Sequence, residues 1–176
     1  MSTHLIAAEI TRIPERALLT ALIVAGILLV YWLMRRGWKN MVARQAGIAA
    51  PAAPTGAPAI AGPWSGMFIG TAAAGQWLDR IAVHTLGDRS TVTLSRTEHG
   101  IEVQRPQSRS FSIPNADVLA VRADSGIAGR AYETGGIIVV TFRLGDRDVE
   151  SGFRLPGTND HLAALAALTA ITEVSS

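Results

Sequence analysis

The sequence predicts a mainly β domain with a C-terminal helix, preceded by one transmembrane α-helix. Three features of the 176 residues point there. An uncharged apolar run lies near the N-terminus, apolar and polar residues alternate through much of the C-terminal part, and the last stretch carries leucines at helical spacing. The organisation read from them is an N-terminal segment (1–45), an Ala/Pro/Gly linker (46–63) and a folded domain (64–176).

The run Ala17 to Met34 contains no charge, and ten of its eighteen residues are Leu, Ile or Val. As a helix it spans about 27 Å, close to the hydrocarbon thickness of a bilayer. It is apolar on every side, unlike a helix that lies on a soluble core. The spanning helix is placed at about 17–36. Tyr31, Trp32 and Trp38 gather at one end, where aromatic rings meet headgroups. A cleaved secretory signal is the competing reading, but the run ends in Arg35-Arg36 rather than at a small-residue cleavage site. Arg35, Arg36, Lys39 and Arg44 follow the run, and Arg12 and Arg16 precede it. Counting basic residues places the C-terminal side in the cytoplasm, at the plasma membrane. Ala17, Ala21 and Ala25 form a small-residue stripe through which weak self-association is expected.

Charge divides along the same boundary. Of 16 basic and 14 acidic residues, six basic and two acidic precede residue 64. The rest of the chain carries 16 − 6 = 10 basic and 14 − 2 = 12 acidic groups, a net of −2. A slightly acidic domain argues against nucleic-acid binding. The absence of cysteine excludes disulfides, thiolate catalysis and cysteine-based zinc sites.

The segment Ala46 to Pro63 holds Pro51, Pro54, Pro58 and Pro63 among alanines and glycines. It reads as a semi-rigid spacer without fixed structure. Met67-Phe68-Ile69 then opens a strand-like stretch. Gln76 to Leu86 is ambiguous between helix and strand, and its large apolar residues, Trp77, Leu78 and Ile81, are expected in the core. Ser90 to Arg96 and Ile101 to Arg105 alternate about a turn at Glu98-His99-Gly100, with Val92, Leu94, Ile101 and Val103 on one buried face. Phe111 and Ile113 form a short strand, and Val118 to Ala123 another. Ile137 to Leu144 is the strongest strand, reversed at Gly145-Asp146 into Val149, Ser151, Phe153 and Leu155. Thr158 or Asn159 caps a helix through Thr172 with Leu162, Leu165, Leu168 and Ile171 at its core.

Chemistry is sparse. His4, His84, His99 and His161 have no metal-ligand spacing. Asp146, Asp148 and Glu150 sit around one hairpin, but Arg143, Arg147 and Arg154 favour cross-strand charge pairs over a cation site. No nucleophile, phosphate-loop or paired-carboxylate motif occurs, so no catalytic, cofactor or metal residue is assigned. The loop after Asp124 is the candidate interaction site, through Arg122, Ser125, Gly126, Gly129 and Arg130: glycines permit close approach, and two arginines flank them.

The order of elements, with the segments Gly70 to Gly87, Phe111 to Val118, Ser125 to Asp146 and Ser151 to Pro156, resembles the actinobacterial membrane-anchored proteins with a pleckstrin-homology-like (PH-like) domain. That resemblance implies a PH-like barrel or sandwich at a membrane and no catalytic motif. The chain departs from phosphoinositide-binding PH domains, because Arg89, Arg96, Arg105 and Arg109 fall on different predicted segments. The expected function is a membrane-tethered, noncatalytic module that binds an unidentified protein at the cytoplasmic face. The alternatives are a peripheral sensor of anionic lipid headgroups, with Arg35, Arg36, Lys39 and Arg44 as juxtamembrane charges, and an enzyme or accessory subunit of a membrane complex.

Overall fold

A computed structural model describes the backbone of residues 3–174. The side chains of residues 1–16, 38, 41–44 and 174–176 lie outside the described residues. The expectations resting on His4, Glu9, Arg12, Glu15, Arg16, Trp38 and Arg44 fall there. The chain divides into two units, Met1–Arg44 and Gln45–Ser176.

The first unit is one helix, α1 (Thr3–Arg44). Its segment Ala17–Gly37 is long and apolar enough to cross a membrane, and none of it is buried. The guanidinium of Arg36 lies over the Trp32 ring, 5.4 Å from its centroid.

The second unit is built on antiparallel strands: β1 (Ala59–Ala73), β2 (Gln76–Arg80), β3 (Ser90–Thr97), β4 (Gly100–Gln104), β5 (Phe111–Pro114), β6 (Val118–Asp124), β7 (Gly126–Ile127), β8 (Arg130–Ala131), β9 (Ile137–Leu144) and β10 (Arg147–Arg154). Helix α2 (Thr158–Val174) follows. The main sheet runs β5-β4-β3-β1-β10-β9-β6, with β2 pairing only β1, while β7 and β8 form a separate hairpin. The expected mainly β fold with a terminal helix is therefore present.

The sheet curls on itself. β1 and β5 are three strand spacings apart, roughly 14 Å if the sheet were flat. Yet the rings of Phe68 and Phe111 meet edge to face at 5.9 Å, and Phe153 lies 5.6 Å from Phe68 on the other side. Val92, Leu94, Ile101 and Val103 share this inner core as expected, joined by Ala164, Leu168 and Ile171 of α2. Gly145 takes φ +65 at the reversal between β9 and β10, the conformation glycine tolerates. Pro63 is accommodated inside β1 because the pairing with β3 shifts register between Ala61 and Trp64.

Ile137 to Val140 are all fully buried because both faces of β9 are covered. Ile138 and Val140 point into the inner core, whereas Ile137 and Val139 join a second cluster with Ile69, Ala72, Ile127 and Ala128. The hairpin β7–β8 supplies the lid of that cluster. It can approach because position 152 is glycine: a Cβ there would collide with the Ile127 side chain.

Three expectations are corrected. The segment 46–63 is not a free spacer. Ile48 and Pro51 are buried, Ala52 bridges Ser112 at the edge of β5, and β1 already begins at Ala59. The Ser112 hydroxyl donates to Ala53 O at 2.8 Å, and the Glu102 carboxylate accepts from the Thr55 N–H and hydroxyl at 2.9 and 2.6 Å. This strap covers a sheet edge that would otherwise present unpaired backbone. Trp77 and Leu78 are not core residues but are 48% and 69% exposed. Leu162 is 58% exposed, because nine residues separate it from buried Ile171, about half a turn out of phase at 3.6 residues per turn.

Candidate functional site

The sequence-predicted loop folds into a defined structure. Ser125 accepts the Tyr132 N–H at 2.7 Å, closing the base of the β7–β8 hairpin. Ile127 and Ala128 turn inward, with Ala128 at φ +51. Gly129, at φ +75, donates its N–H to Trp77 O at 2.8 Å, which ties the hairpin to β2. Arg130 and Ala131 remain exposed. The loop is thus pinned underneath and open on top.

Beside it lies an open hollow of about 400 Å³ lined by Gly75, Trp77, Arg122, Asp124, Glu150 and the hairpin. Of the residues singled out in the sequence, Arg122, Ser125 and Gly126 line it, whereas Gly129 and Arg130 do not. Arg122 is not an open anion receptor. Its Nη1 and Nη2 donate to the two Glu150 carboxylate oxygens at 3.1 and 3.2 Å, and its Nε donates to Asp124 at 3.1 Å. The Glu150 hydrogen bond, ahead of the Asp124 interaction, holds this guanidinium above its ordinary pKa. Burial would raise the Asp124 carboxyl, but the Ser125 N–H and Arg122 outweigh it and hold it below its usual range. Two carboxylates and one guanidinium leave the hollow with a formal charge of −1.

The predicted charge pairs around the β9–β10 hairpin are present in part. Arg143 meets Asp148 at 3.0 Å and Arg147 meets Asp146 at 3.9 Å. Glu150 pairs instead with Arg122 of β6, and Arg154 with Glu133 at 2.8 Å. Among the described residues, no group of three His, Asp or Glu side chains could hold a metal ion.

A second groove, about 570 Å³, is lined by Ser65, Gly66, Met67, Arg89, Arg154 and Pro156. Sequence reading did not bring Arg89 and Arg154 together, because they lie 65 positions apart and meet only across β1. Arg105, at the end of the strand predicted over Ile101 to Arg105, is 1% exposed. Its guanidinium lies over Phe68 at 4.3 Å and donates to Ser90 Oγ, Thr85 O and Asp88 O at 2.7, 3.1 and 3.0 Å. Burial lowers its pKa, with Asp88 acting in the opposite direction. It is a structural staple for the 85–90 turn rather than part of a site.

Across this architecture, a family profile described as bacterial PH domain-like matches residues 46–169. The chain belongs to that family. The match starts within the strap, not at residue 64, in agreement with the packing of residues 48–58 on the PH-like domain. A comparison with curated proteins finds no match. Membership assigns the PH-like domain an interaction role at most, without a ligand.

Proposed function

We propose that the chain is a single-pass membrane protein, of the membrane-anchored kind its sequence resembles, whose PH-like domain is a noncatalytic protein-interaction module at the cytoplasmic face. The anchor reading is supported by the exposed apolar span Ala17–Gly37 and by the basic residues Arg35, Arg36, Lys39 and Arg44 that follow or end it. The observation that carries the interaction role is the β7–β8 hairpin. Buried Ile127 and Ala128 hold it rigidly, while Arg130 and Ala131 stand exposed beside the hollow. A surface fixed before binding loses little entropy on contact, as recognition favours. Arg122, Asp124 and Glu150 satisfy one another, which suits a scaffold better than a reaction centre.

A second reading, contact with anionic headgroups, is favoured by the Arg89–Arg154 groove and the juxtamembrane charges. It ranks lower because Arg154 is already engaged by Glu133 and by the Tyr132 ring at 5.4 Å.

The test combines topology and proximity in cells. A reporter fused after Ser176 is expected to give a cytoplasmic signal. In this cysteine-free chain, Arg130→Cys carrying a thiol cross-linker is expected to yield a discrete protein adduct that Glu98→Cys, on the β3–β4 turn, does not. An external reporter signal overturns the orientation, and identical adduct patterns from the two positions overturn the interaction surface.

A further inference from the structure

β2 is an irregular strand. Ala72 pairs with Arg80 and Ala73 with Gln76, so one step along β1 corresponds to four along β2. Trp77, Leu78 and Asp79 therefore bulge out of the ladder. The bulge is nevertheless held in place: Trp77 O accepts from Gly129 N–H at 2.8 Å, and Ile81 N–H donates to Thr71 O at 2.9 Å. Two large apolar side chains are thus presented to solvent on a fixed backbone, a combination that the stability of the domain itself does not require.

The same strand is clamped at its other end by the residue that follows α1. Gln45 Nε2 donates to Arg80 O at 2.9 Å, and Gln45 Oε1 accepts from Ala82 N–H at 2.7 Å. Gly37 ends the apolar span and Gln45 lies eight residues later. Even fully extended, that stretch reaches at most about 28 Å, and Trp77 is only three residues from the clamped Arg80. Because residues 46–58 pack as a strap on the domain, they add nothing to that reach.

We propose that the Trp77–Leu78 bulge is a second membrane contact, dipping into the lipid interface of the bilayer that α1 spans and thereby orienting the domain. The inference rests on the anchored reading above. Tryptophan favours this zone because its ring is apolar while its N–H finds polar partners. The neighbouring Asp79 and Arg80 cancel in charge, so the contact is apolar and needs no anionic lipid.

The absence of cysteine allows single-site labelling of the full chain in phosphatidylcholine vesicles. An environment-sensitive fluorophore on Leu78→Cys is expected to shift to the blue and to be quenched several-fold by nitroxide-labelled lipid, equally in low and high salt. The same fluorophore on Glu98→Cys is expected to remain unquenched. A label on Met34→Cys reports separately on the anchor. If Met34 is quenched and Leu78 is not, the inference fails and the anchor stands. If neither is quenched, the anchored reading fails. Quenching at Leu78 that appears only with anionic lipid and vanishes in high salt also overturns it, in favour of headgroup charge. So does shielding of Leu78 in cells but not in vesicles, which would mark a protein partner.

Discussion

The two faces of the same strands are built in different ways. The inner face is packed with large rings, Phe68, Phe111 and Phe153, and closed by Leu168 and Ile171 of α2. The outer face holds a smaller aliphatic cluster, Ile69, Ile137 and Val139, closed only by a two-residue-strand hairpin that approaches at Gly152. Beyond that lid the outer face becomes polar at Arg122, Asp124 and Glu150. The inner face is expected to carry most of the stability of the domain, with the hairpin on the outer face opening separately from it.

The largest effect that would test this division is on the inner face. Phe68→Ala removes contacts to two aromatic rings and to the Arg105 guanidinium, and is expected to cost about 3–5 kcal/mol in denaturant unfolding. Arg105→Ala takes the guanidinium donor from the Asp88 carbonyl and the Ser90 hydroxyl, leaves Thr85 O with the Asp88 N–H, and is expected to cost about 2–3 kcal/mol, loosening the 85–90 turn in hydrogen exchange. On the outer face, Gly152→Ala should cost about 1–3 kcal/mol through overpacking against Ile127. Its signature is a new protease site at residues 125–132 with the inner core intact, and equal loss of protection throughout the domain would erase the proposed division.

The smallest effect is electrostatic. The folded Asp124 carboxyl lies below its ordinary value of 3.8, so its contribution is present above that pH and is lost as the pH falls through the lowered folded value. Protection of the β7–β8 amides should therefore fall in acid before the inner core unfolds, and Asp124→Asn should remove that step. Retention of the step in the variant would assign it to another group.

What was legible in the sequence followed from short-range pattern. The run Ile137–Leu144 and its return through Gly145 read directly as a hairpin, and alternation placed Val92, Leu94, Ile101 and Val103 on the inner face. Distant partners were not legible. The strap resembles a spacer by composition because its holding groups, Glu102 and Ser112, lie 47 and 59 residues away. Arg122 appears available until Glu150, 28 residues later, is seen against it. Trp77 and Leu78 read as core by spacing and size on either a helix or a strand, while the three residues that bulge from the β1–β2 ladder decide their exposure. Likewise, leucines spaced by three drift around a helix of 3.6 residues per turn, so only part of the α2 stripe is buried.

If α1 anchors the chain as proposed above, the strap also sets how far the domain reaches from it. With a free spacer up to Trp64, the chain beyond Gly37 could extend about 90 Å from the end of the apolar span; with the strap folded, it extends about 28 Å. Effective concentration falls roughly as the −3/2 power of tether length, so shortening the tether from 27 to eight residues raises it about sixfold for an anchored domain. A freely diffusing partner gains little from this, whereas a partner confined to the same layer meets the domain often enough for a weak contact to be occupied.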